Sequence, residues 1–79
     1  MNVGMCFDRS LPAPFVVEVA EALDAAHVDQ LWVIEDCFFT SGPTLAAAAL
    51  TATERIGVGI GIMPAVARTA AITAMEIAT

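Results

Sequence analysis

Asp29-Gln30-Leu31-Trp32-Val33-Ile34-Glu35-Asp36-Cys37 is an apolar run that stops abruptly on two adjacent carboxylates. Its centre, Leu31 to Ile34, mixes β-branched and aromatic residues without polar interruption, which suits a strand covered on both faces as in a parallel sheet. Acids at the carboxyl end of such a strand fall at the rim of the sheet, where α/β folds hold their ligands.

Working outward, two further strand-like runs flank this one, Val3 to Phe7 and Ile56 to Met63, so that strands recur about every 27 residues. A helical segment follows each. The first is expected to start near Pro12 or Pro14, with Phe15, Val19, Leu23 and Ala26 as its apolar face and Glu18, Glu21 and Asp24 as its wet face. The second has Ser41 or Thr44 as its cap and Pro43 in its first turn, and runs through Leu45 to Leu50 as far as about Glu54. The third begins near Arg68 or Thr69 and carries Ile72 and Met75 at helical spacing, with no stop signal before Thr79. Three strand–helix units continued to eight would reach the ~250 residues of a (β/α)₈ barrel. The economical reading is an α/β chain holding the N-terminal three β-α units of a (β/α)₈ TIM barrel, incomplete; a doubly wound open sheet opens in the same way.

Composition limits the function classes. Of 79 residues, 58% are hydrophobic and 15% charged, typical of an interior-rich α/β chain. A domain of this size buries only about 60–65% of its unfolded surface, little for a sheet that needs cover on both sides. The net charge of −6, with Arg9, Arg55 and Arg68 scattered and no lysine, argues against nucleic acid and anionic membranes. The longest apolar run, Ile56 to Ala67, is broken by Pro64 and glycines and falls short of a membrane span. Met1 to Cys6 lacks the basic residue of an export signal, so a cytoplasmic location is the default, and Cys6 and Cys37 read as reduced thiols.

Three blocks in register resemble the luciferase-like monooxygenase family, the flavin- and deazaflavin-dependent oxidoreductases built on (β/α)₈ barrels. Val28-Asp29, Trp32 and Glu35 match the family's aromatic-Asp turn, its Trp and its strand-ending acid. Thr53-Glu54-Arg55-Ile56-Gly57-Val58-Gly59 is similar to the family's lead-in to the third strand, and Arg68 and Ala74 fit the start of the next helix. The resemblance covers essentially the whole chain and makes residues 1–79 the N-terminal portion of a single luciferase-like barrel domain. It implies a deazaflavin coenzyme of F-420 type, or FMN, at the carboxyl ends of the strands, acting on a small-molecule substrate by hydride transfer or oxygen activation. The deazaflavin is put first on the third-strand block. Glu35, Gly61, Ile62 and Met63 are the implied cofactor-binding positions, and relatives carry a non-prolyl cis peptide at the bond matching Gly61-Ile62. No metal is implied.

Departures from the pattern are informative. His27 stands where the family has Gly, at a helix end that favours a left-handed backbone, and has no partner motif that would make it a ligand. Asp36 stands where the family often has His beside the reactive ring, which makes it the candidate catalytic residue. If Phe38 and Phe39 desolvate it, and Glu35 repels it, it would serve as acid or base near neutrality. The plainer alternative is a carboxylate that accepts a hydrogen bond in the loop after the strand or caps the next helix. Successive strand residues point to opposite faces, so Glu35 and Asp36 are not a facing pair of the glycosidase kind.

Gly57-Val58-Gly59-Ile60-Gly61 lacks the Gly-x-Gly-x-x-Gly spacing of a dinucleotide loop and is better read as a strand whose glycines mark a close approach. Cys6 and Cys37 form no Cys-x-x-Cys motif and have no adjacent base, so free thiols are the simpler reading. Met63 and Phe7, near strand ends, read first as core. A second hypothesis from a different class is a non-catalytic remnant whose only property is self-association. A homo-oligomer is left open on either reading, and the isolated 79-residue chain is expected to be inactive.

Overall fold

The computed structural model describes residues 1–79. Three strands alternate with three helices: β1 (Gly4–Cys6), α1 (Phe15–Ala25), β2 (Gln30–Val33), α2 (Gly42–Thr51), β3 (Gly57–Ile60) and α3 (Ala70–Ala78). The strands lie in the order β1-β2-β3, both pairs parallel, with Trp32 opposite Cys6 on one side and Gly59 on the other. The strand–helix repeat is therefore a run of adjacent β-α units. All three strands end at the same rim, which carries Asp8, Glu35 and Met63.

The core lies between one face of the sheet and the first two helices: Phe7, Val16, Ala20, Leu31, Val33, Leu45, Ala46, Ala49 and Ile56. The helix side of β2 presents Leu31 and Val33, both fully buried, each stabilising the fold by about 1.5–3 kcal/mol. The opposite face carries Trp32, half exposed, lying against Gly59; a Cβ at Gly59 would stand 2.6–2.8 Å from three atoms of the indole ring. The glycines of β3 thus leave room for a neighbouring strand's aromatic side chain.

The apolar face of α1 is rotated from the expected one. Val16, Ala20 and Asp24 are buried, whereas Phe15 and Ala26 are exposed and Val19 and Leu23 only flank the core. This line of α1 packs chiefly against α2. Asp24, expected on the wet face, is only 9% exposed and holds the start of β3. The second helix ends at Thr51, before the expected Glu54, because the backbone N–H groups of residues 54 to 56 donate to Asp24 instead of to the helix. In α3, Thr69 caps the helix by accepting from the Ile72 N–H, as its sequence position suggests, but Ile72 and Met75 remain exposed and no residue of the helix is buried.

His27 ends α1 with φ 59°; its N–H donates to the Asp24 carbonyl and that of Val28 to the Leu23 carbonyl, the paired bonds of a helix-ending left-handed turn. Replacing His27 by Gly removes the Cβ penalty and should raise stability by about 1 kcal/mol. Urea denaturation checks this, and a destabilised His27→Gly would show that the imidazole contributes a contact of its own.

Candidate functional site

Glu35 and Asp36 leave the end of β2 in opposite directions, as the alternation of a strand requires. Glu35 turns toward the helices. Its two oxygens accept from Arg68, Nε at 2.5 Å and Nη2 at 2.8 Å, and Oε2 also accepts from the Gly42 N–H at 2.9 Å. The carboxylate therefore caps the first turn of α2 from a distance, where the helix dipole favours negative charge. Ser41, the N-cap by position, makes no capping bond with its own side chain. Gly42 is pressed against this junction: a Cβ there would stand 2.6 Å from Ile60 Cγ2 and 3.1 Å from Glu35 Cβ.

Arg68 also reaches Glu76 on α3, so one guanidinium ties the end of β2, the start of α2 and α3 together. The Glu35 side chain is 8% exposed and that of Arg68 19%. The Arg68 hydrogen bonds, opposed by burial and assisted by Gly42, hold the Glu35 carboxyl below its ordinary 4.5, and the same pairing raises Arg68.

Asp36 turns the other way and pairs with Arg9, which follows β1; the Arg9 guanidinium also lies 4.9 Å over the Phe39 ring. The apolar surround that would desolvate Asp36 is absent, because Phe38 is fully exposed and Phe39 largely so. The expected repulsion from Glu35 is met by Arg68. Asp8, one residue before Arg9, fixes its own turn by accepting from the Ser10 N–H and hydroxyl, both at 2.8 Å. The backbone donor chiefly, with the hydroxyl, lowers its carboxyl from the usual range.

A cleft of about 490 Å³ opens at this rim, lined by residues 35–41 of the β2–α2 loop and by Pro64, Ala67 and Arg68 after β3. A second hollow of about 370 Å³ lies beyond, bounded by Cys6, Asp8, Arg9 and Ile34. Of the residues expected from the sequence, Glu35 and Asp36 line the cleft. Gly61, Ile62 and Met63 stand just past β3 on the same rim but do not line it; the Gly61 N–H continues the ladder to the Val33 carbonyl, and the Gly61-Ile62 peptide is cis. Cys6 and Cys37 are free and exposed.

Sequence reading missed the partners. Arg9 and Arg68 are scattered in sequence, yet each follows a strand that flanks β2, so a cation waits on either side of the two acids. No cluster of side chains suited to a metal is present, and no helix is long and apolar enough to cross a membrane.

No curated protein and no solved structure matches the chain. The family model of the luciferase-like monooxygenases matches residues 6–79. That match runs from the last residue of β1 through α3 and takes in every residue of the rim described above, and with it the chain belongs to the luciferase-like monooxygenase family.

Proposed function

We propose that this rim is the mouth of a (β/α)₈ oxidoreductase in which a deazaflavin of F-420 type, or FMN, lies across the carboxyl ends of the strands. Hydride would pass to or from a small organic substrate, or oxygen would be activated. The observation that carries the reading is a parallel rim with separately paired carboxylates beside a glycine-rich strand end on which the half-exposed indole of Trp32 rests. The Trp32 ring packs over Gly59, and a Cβ at Gly61 would come 3.4 Å from the same ring, so the indole presents the apolar surface at this strand end. A planar ring fits such a surface. Bound there, the cofactor would supply the electron chemistry and the chain would supply position and charge.

In this reading Gly61, Ile62 and Met63 border the ring, Glu35 holds the wall they stand on, and Asp36 is the acid or base. Arg9 keeps Asp36 aimed along the rim. The deazaflavin is preferred over FMN on the resemblance of Thr53 to Gly59 to the family's third-strand block. Titration of the full-length barrel protein with each cofactor, followed by fluorescence and turnover, tests the proposal, with saturable binding of one of them expected. Asp36→Asn should keep that affinity within about threefold and lower kcat by roughly 100-fold or more. Absence of binding by either cofactor, or an Asp36→Asn protein with full turnover, defeats it. A second reading, a non-catalytic chain that self-associates, draws on the exposed apolar residues Val3, Met5 and Trp32; the same titration separates the two.

A further inference from the structure

We infer that Phe38 is the specificity-determining residue of this mouth and that it selects an uncharged substrate with an apolar, aromatic-sized portion; the inference rests on the oxidoreductase reading above. The β2–α2 loop is tied on both sides of its tip. Asp36 and Thr40 close it with reciprocal backbone bonds, the Thr40 hydroxyl donates to the Ile34 carbonyl at 2.7 Å, Asp36 is paired with Arg9, and Phe39 lies under the Arg9 guanidinium. Phe38 sits at the tip with φ 74° and its ring fully exposed, while lining the cleft.

Two costs meet at this residue. A bulky side chain is disfavoured in the left-handed region, where Gly or Asn is easily held, and a large ring in water forfeits its burial. Nothing within the chain repays either, since the Phe38 ring is fully exposed. A strained, solvent-facing aromatic at a ligand rim points to a contact made only when the site is filled.

The charges define what fills it. Each charged side chain lining the cleft already has its counter-ion, Glu35 with Arg68 and Asp36 with Arg9, and Glu76 is added on Arg68. Three carboxylates therefore face two guanidinium groups, and the rest of the lining is Cys37, Phe38, Phe39, Thr40, Ser41, Pro64 and Ala67, all uncharged. A carboxylate or phosphate would meet a slightly negative rim with no free cation. An uncharged ring would meet an aromatic face.

The test is a chemical-shift titration of the protein with 1-naphthol and with 1-naphthoate, without cofactor. Naphthol should bind at least tenfold tighter than naphthoate. Phe38→Ala and Phe38→Gly should each weaken naphthol binding about tenfold, and Phe38→Tyr should keep it within threefold. The glycine variant relieves the backbone at this position, so its loss of binding cannot be assigned to misfolding. Equal affinity for the two probes, or naphthol binding unchanged in Phe38→Gly, overturns the inference. Cofactor titration of the same samples is read separately: its failure defeats the oxidoreductase reading, while the naphthol result still decides the role of Phe38.

Discussion

Replacing Arg68 by Met lowers the melting temperature by about 10 °C or more, and the deficit narrows as the solution is acidified. The first part follows from removing one member of a largely buried pair: Glu35, 8% exposed, loses both guanidinium bonds and keeps the Gly42 N–H alone. An uncompensated buried carboxylate is among the costlier defects a single substitution creates, and a chain of this size loses several degrees for each kcal/mol. The second part follows from the direction of the Glu35 shift. With Arg68 present the carboxyl lies below its ordinary 4.5, so its stabilising contribution is complete above that pH and fades as pH falls through the lowered value. Without Arg68, burial remains and favours the neutral acid, so acid that weakens the native protein relieves the variant. Thermal melts of both proteins between pH 7 and roughly pH 4 measure this. A deficit of only a degree or two, or one independent of pH, would mean that Arg68 is an ornament of the surface. The double variant with Glu35→Gln should recover part of the loss, because no charge is then stranded.

The parts legible in the sequence were those fixed by local pattern. The apolar run of β2, its abrupt acidic end and its spacing from β1 and β3 specify parallel units whatever else the chain does, and Asp8, Glu35 and Met63 stand together on one rim for that reason. His27 was legible too, as a residue held at a helix end where the backbone turns left-handed. Long-range pairing was not. Glu35 looked like a rim group facing a ligand, but Arg68, 33 residues later, and the start of α2 claim both of its oxygens. Asp36 looked like a carboxyl to be desolvated by its aromatic neighbours, but Arg9, 27 residues earlier, claims it, and the rings face solvent. Periodicity also placed the α1 contact one residue off, because it favours the largest side chains, whereas Asp24 is held inward by the three backbone N–H groups it accepts from. A usable signal was present in the strand order: two acids on the central strand, and one arginine after each neighbour.

Replacing Asp24 by Ala should cost as much stability as any substitution on the rim of Glu35 and Asp36, although it lies at the other end of the sheet. An acid in the last turn of a helix opposes the helix dipole, so its presence at the end of α1 calls for a compensating interaction. The compensation comes from the segment leading into β3: Oδ2 accepts from the Glu54 N–H at 3.0 Å, and Oδ1 from those of Arg55 and Ile56 at 3.1 and 3.0 Å. The Glu54 bond is the main influence that lowers the Asp24 carboxyl from its ordinary 3.8, burial opposing it and the Arg55 and Ile56 bonds adding to it. The contribution of Asp24 is therefore intact above that value and is lost as pH falls through the lowered one. Alanine leaves three backbone donors without partners at a place where Ile56 enters the core, and a fall in melting temperature of roughly 10 °C is expected. Asparagine, which keeps an acceptor oxygen but not the charge, should lose about half of that. Hydrogen exchange gives the sharper test: the amides of residues 54 to 56 should lose protection together in Asp24→Ala, while those of β1 keep theirs. Retained protection at all three positions would show that the loop into β3 holds itself, and that the buried carboxylate is there for some other reason.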